Sequence, residues 1–174
     1  GGYNSRIYYE QYPDEILGMI MLDSAHPDQW SQLPSEVEAL LTSQVSLLNT
    51  MSTLSNFGIV RFILPEQASL SDELQTSYTA HMAQSHHLAA SADELGGGIE
   101  SARQVPDSDL GDLPLVVVTA GQSFNAFQGF VDDFPFAEAE TVWQELQLDL
   151  TTLSTNSVHL ISPEATHVIY ATDP

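Results

Sequence analysis

The chain contains no cysteine and no lysine. Without thiols there are no disulfides, no thiolate metal sites and no cysteine nucleophile, while the cellular compartment is left open. Cationic side chains are confined to Arg6, Arg61 and Arg103, against 24 acidic residues, for a formal net charge of -21. Nucleic acid and anionic membrane surfaces are poor partners for such a chain, because their own charge repels it. Long apolar runs are absent too: none approaches the roughly 18 residues of a membrane span, so no transmembrane segment is expected. No internal repeat is present. The opening stretch "GGYNSRIYYEQYPDEILG" has neither an initiator Met nor the basic-then-apolar pattern of a leader, and is read as lying inside a longer protein.

What remains is ample for folding. At 174 residues and 43% hydrophobic content the chain is expected to form one domain, or part of one, with a real core. Strong acidity combined with so many apolar residues points to a folded chain with a highly solvated surface rather than to disorder. Either the surface simply improves solubility or the protein is adapted to salt, in which case stability rises with NaCl as self-repulsion is screened.

Apolar residues Tyr3, Ile7 and Tyr8 recur at helical spacing between Gly2 and Tyr12, and Pro13 with Asp14 ends that helix. The following run "ILGMIMLD" is apolar from Ile16 to Leu22 without alternation, the pattern of a strand covered on both faces of a parallel sheet. It stops in Asp23. Two further runs, Leu113 to Gly121 and Asn156 to Ser162, read as strands, and between them Phe136, Val142, Trp143, Leu146, Leu150 and Leu153 give a helix. The order predicts an α/β fold with a parallel sheet.

The stretch from Ser24 to Asp112 is too long for a simple crossover. Its own patterns are helical: Val37, Leu40, Leu41, Val45, Leu48 and Met51 after Pro34, then Leu70, Leu74, Tyr78, Met82, Leu88 and Leu95. Residues 24–112 are therefore expected to form a helical cap over the carboxyl ends of the strands, where sites in open α/β sheets lie. Gly96, Gly97 and Gly98 are expected to break or hinge it. Residues 1–23 and 113–174 would then form the sheet-bearing core.

A strand that stops in a carboxylate, and a loop after the last strand reading "EATHVIYATDP", bring Asp23 and His167 to one edge of one sheet. In this arrangement the sequence resembles the C-terminal part of the α/β-hydrolase family, whose nucleophile sits on a strand-to-helix turn, G-x-S-x-G, often followed by another Gly. Gly1 and Gly2 resemble the end of that turn, where glycines let the next helix pack close to the strand. The resemblance covers nearly the whole chain. It implies a nucleophile two residues before Gly1, and places the early strands, part of the oxyanion hole and the final helix outside the chain. His167 would be the general base; Thr166 stands where the family usually has Gly before that His. Asp23 would be the acid that orients the imidazole. Many members place the acid after the strand equivalent to Leu113–Gly121, where this chain has Gln122 and Ser123. Asp132 and Asp133 are the alternatives.

Other constellations carry weaker signals. His26, Asp28 and Gln29 lie close to the proposed site and read either as pocket residues or as a turn anchored by Pro27. Spacing would place His81, His86 and His87 partly on one helix face, as metal ligands or, without an accompanying motif, as cap surface or cap packing. Asp107, Asp109 and Asp112 lack the Gly and terminal Glu of a calcium loop and read as solvated linker. The resemblance implies a serine hydrolase acting on an ester or similar acyl bond of a small molecule with an apolar portion, without a cofactor. An Asp nucleophile would instead give an epoxide hydrolase or dehalogenase, and a non-catalytic binding protein on the same fold is the rival of a different class.

Overall fold

Residues 1–67, 70–124 and 133–173 are described by the structure, a computed structural model. The fold is mixed α/β. Helix α1 (Gly2–Gln11) leads through a short turn at Pro13–Glu15 into strand β1 (Met19–Leu22). Helices α2 (Gln29–Gln32), α3 (Ser35–Ser55), α4 (Asp72–Met82), α5 (Ser85–Gly96) and α6 (Gly98–Gln104) follow before β2 (Leu115–Ala120). Helix α7 (Phe136–Leu150), β3 (Ser157–Ser162) and the short α8 (Ile169–Thr172) complete the order.

All pairing is parallel, in the order β1-β2-β3. Met19 lies opposite Leu115, and Leu115 opposite Ser157. Strand β1 starts three residues later than the apolar run from Ile16. Its neighbour explains this: the ladder opens with Met19 N donating to Pro114 O at 2.8 Å, and Pro114 has no N–H with which to extend it upstream.

The expectation that β1 is covered on both faces is corrected. Met19 and Met21 are buried, whereas Ile20 and Leu22 are 68% and 50% exposed. An unbroken apolar run has no alternation to report its sidedness, so the two cases look alike in sequence. The covered face forms one cluster of Met19, Met21, Leu110, Leu115, Val117 and Leu150, with Tyr9, Leu113 and Leu153 packed against it.

Helix α7 buries Ala139, Trp143, Leu146, Gln147 and Leu150. This spacing of three and four residues makes one continuous stripe, and each large apolar side chain buried there stabilises the fold by about 1.5–3 kcal/mol. Glu138 in the first turn complements the positive end of the helix dipole.

The chain divides into two compact units, residues 1–37 with 99–174, and residues 38–98. The helical unit is thus shorter than the insertion read from sequence. Residues 99–112 belong with the sheet through bonds such as Leu110 N to Leu153 O, 2.8 Å, and Arg6 Nη2 to Pro106 O, 3.0 Å. Within the helical unit, Leu88 and Ala92 of α5 and Val60 after α3 are buried. Ser52 Oγ ties α3 to α5 by donating to Ser85 O at 2.9 Å. The break expected at the glycine triplet falls at Gly97, between α5 and α6.

Candidate functional site

Three parallel strands in register end at one edge, so the residues following them are neighbours. Asp23 follows β1, Gly121 to Ser123 follow β2, and the loop 163–168 follows β3. Asp23 extends the ladder by one bond, its N donating to Val118 O at 2.7 Å, and then turns with φ +42°. A left-handed conformation costs an L-residue about 1–2 kcal/mol, and Asp tolerates it better than most.

The Asp23 side chain is fully buried, and a buried carboxylate is tolerable only when donors surround it. Four do. Oδ1 accepts from Ala120 N at 3.0 Å and from Trp143 Nε1 at 2.8 Å. Oδ2 accepts from Ser123 Oγ at 2.8 Å and meets His167 Nδ1 at 2.8 Å. An ionised carboxylate only accepts, so opposite an ionised Asp23 the shared proton sits on Nδ1, and in the neutral form of that imidazole Nε2 is the acceptor. The His167 side chain is 63% exposed, and no hydrogen bond reaches Nε2 among the described residues.

The loop that presents His167 is held on both sides. Gln122 N donates to Ala165 O at 3.0 Å, Thr166 N donates to Thr172 Oγ1 at 3.1 Å, and Ala165 and Ile169 are buried. Ser162 Oγ also donates to Asp173 Oδ2. Close approach of the two strand ends depends on Gly121, where a Cβ would lie 2.4 Å from Pro163 O. At the other end of the site, a Cβ on Gly2 would lie 2.9 Å from Ala25 O. Gly2 therefore lets α1 approach closely, and its neighbour is the turn after β1 rather than the strand.

That turn is a separate network. His26 N donates to Gln29 Oε1 at 3.0 Å, Asp28 N donates to His26 Nδ1 at 3.1 Å, and His26 Nε2 meets Asp149 Oδ2 at 3.1 Å. Tyr3 Oη closes it by donating to His26 O at 3.0 Å. Gln147, fully buried, clamps the same turn by donating from Nε2 to Ser24 O at 2.7 Å and accepting from Ser24 N at 3.2 Å. His26, Asp28 and Gln29 thus serve the turn's own geometry. Beneath it, burial lowers the Arg6 guanidinium from its ordinary value, and Asp107, Asp149 and Asp28 oppose that shift. Burial likewise raises the Tyr3 hydroxyl against the effects of Trp30 and Arg6.

Of the remaining candidates, Asp133 is exposed, with φ +57°, and Asp132 lies outside the described residues. The rings of His81 and His87 stand 4.8 Å apart, yet among the described residues no group of three His, Asp or Glu is arranged to hold a metal ion. Asp107, Asp109 and Asp112 are exposed, and Asp109 Oδ1 accepts from Gly111 N at 2.8 Å in a local turn.

Two site residues escape a reading by sequence. Trp143 reads as core, and Ser123 reads as the place where an acid is absent, yet both donate to Asp23. A buried indole N–H needs an acceptor, which is a signal that some partner exists without saying which. The chain matches no family model, and no curated protein or solved structure is significantly similar to it.

Proposed function

We propose that Asp23 and His167 are the acid and base of a serine hydrolase of the α/β-hydrolase type, cleaving an ester or similar acyl bond through an acyl-enzyme. The observation that carries this reading is the 2.8 Å contact between His167 Nδ1 and the buried Asp23 carboxylate, with Nε2 left open at the carboxyl edge of a parallel sheet. In this reading Nε2 takes the proton of the attacking hydroxyl and later returns it to the leaving group. Asp23 holds the tautomer, stabilises the imidazolium and stays ionised throughout. Ser123 is not the attacking hydroxyl in this reading, because its Oγ donates to Asp23 Oδ2.

Hydrolysis of a p-nitrophenyl ester by the complete protein tests the reading. Asp23→Asn is expected to lower kcat by about 10⁴-fold, as loss of the acid does in a comparable triad, and His167→Ala to lower it at least as far. Turnover that survives His167→Ala would overturn the assignment. An Asp at the nucleophile position would redirect the chemistry to epoxides or alkyl halides, and ligand binding without turnover, unchanged in His167→Ala, would mark a binding protein.

A further inference from the structure

The Asp23 carboxylate has more donors than tautomer control of one histidine requires. They are also unequal. Oδ1 is held by Ala120 N, fixed in strand β2, and by Trp143 Nε1, fixed in the buried stripe of α7. Oδ2 is shared between His167 and a hydroxyl, and that hydroxyl has a second acceptor within reach, Ala120 O at 3.4 Å from Ser123 Oγ. The indole is buried, and its ring meets those of Phe124 and His167 edge-on, with centroids 6.1 and 6.5 Å away.

We infer that Trp143 and Ser123 are positioning residues with separate tasks on one carboxylate: the Trp143 indole sets its orientation, and the Ser123 hydroxyl sets how much of its charge faces His167. The inference rests on the reading of Asp23 and His167 as a catalytic pair. With both donors on Oδ1 in place, the carboxylate plane is fixed by elements of the core, and Oδ2 is presented to the His167 loop at one angle. Without the indole N–H, Ala120 N alone holds Oδ1, and the carboxylate rotates about its Cβ–Cγ bond. Ser123 works differently. Its O–H withdraws charge from Oδ2, and turning to Ala120 O returns that charge to the bond with Nδ1. Neither role needs contact with a substrate.

The two tasks predict different signatures in the Nδ1–H proton resonance of His167, read by NMR on the full chain. Trp143→Phe is expected to broaden that resonance through exchange. Ser123→Ala is expected to leave it sharp and move it downfield, because the remaining bond strengthens, and Ser123→Thr is expected to restore the original position. In the complete protein, Trp143→Phe is expected to lower kcat by about ten- to a hundredfold with KM unchanged, the cost of a small misplacement at a reacting centre. Should Trp143→Phe fail to fold, benzothienylalanine at position 143 removes the N–H at unchanged shape and gives the same reading. An unaltered resonance and kcat in the position-143 variants would reduce the indole to core packing. A resonance equally placed in Ser123→Ala would remove the hydroxyl from the account. These NMR outcomes are independent of turnover: signatures as expected in a protein that hydrolyses no acyl bond would sink the hydrolase reading alone, while His167-dependent turnover with unaltered resonances would sink this inference alone.

Discussion

Helix α3 runs for 21 residues without fully burying one of them, whereas α7, at 15 residues, buries five, including Trp143 and Leu150. Both carry apolar residues at helical spacing, so periodicity does not separate them. The difference lies in what each meets. The stripe of α7 lies on the sheet, where Leu150 joins the cluster of Met21, Leu115 and Val117. In α3 the apolar side chains are at best half-buried, and several polar ones bend back on the helix itself, as when Ser43 Oγ donates to Leu40 O and Thr50 Oγ1 to Ser46 O. Such back-bonding adds little stability and slightly weakens a helix. The lesson is that α7 is held by tertiary packing, while α3 depends on local helix propensity and partial contacts.

Substitutions test that contrast in descending order of effect. Leu150→Ala removes a side chain 1% exposed at the centre of the cluster and is expected to cost about 2–5 kcal/mol in chemical denaturation. A loss below about 1 kcal/mol would place α7 on the same footing as α3 and break the comparison. Gln147→Leu strands the N–H and C=O of Ser24, both now paired by one amide. An expected loss of about 2–3 kcal/mol follows from unsatisfied buried polar groups, and circular dichroism on heating would show it as a lowered Tm. Amide hydrogen exchange sharpens the contrast without mutation, since α3 is expected to open and exchange faster than α7. Smallest is Leu47→Ala on α3, where a side chain 60% exposed is expected to change stability by under about 0.5 kcal/mol.

Much of the architecture is legible before folding is considered. The α1 helix, the strands β2 and β3, and α7 lie where apolar spacing puts them, within two or three residues. The start of β1 was not legible, because it depends on Pro114 in the neighbouring strand. Neither was the exposure of Ile20 and Leu22, since sidedness follows from which elements pack on the sheet. The candidate site divides in the same way. Asp23 at a strand end and His167 in the last loop stand out by residue type and place, while the left-handed turn of Asp23 and the donors to its second oxygen do not.

The sequence by itself determined the acidic, lysine-free and thiol-free character of this protein, the alternation of helix and strand, and the presence of an acid and an imidazole after strands of one sheet. Those properties are local: they follow from residue type, from unbroken apolar runs and from the 3.6-residue period of a helix. Only the tertiary structure decided that Asp23 is buried and fully bonded, with partners 97, 100, 120 and 144 residues away in Ala120, Ser123, Trp143 and His167. A hydrogen bond is directional and works within about 3 Å, and no local pattern specifies which groups so distant along the chain arrive at that separation. Parallel pairing of β1, β2 and β3 brings Ala120, Ser123 and His167 to Asp23 by ending three strands side by side, and the packing of α7 on that sheet brings Trp143.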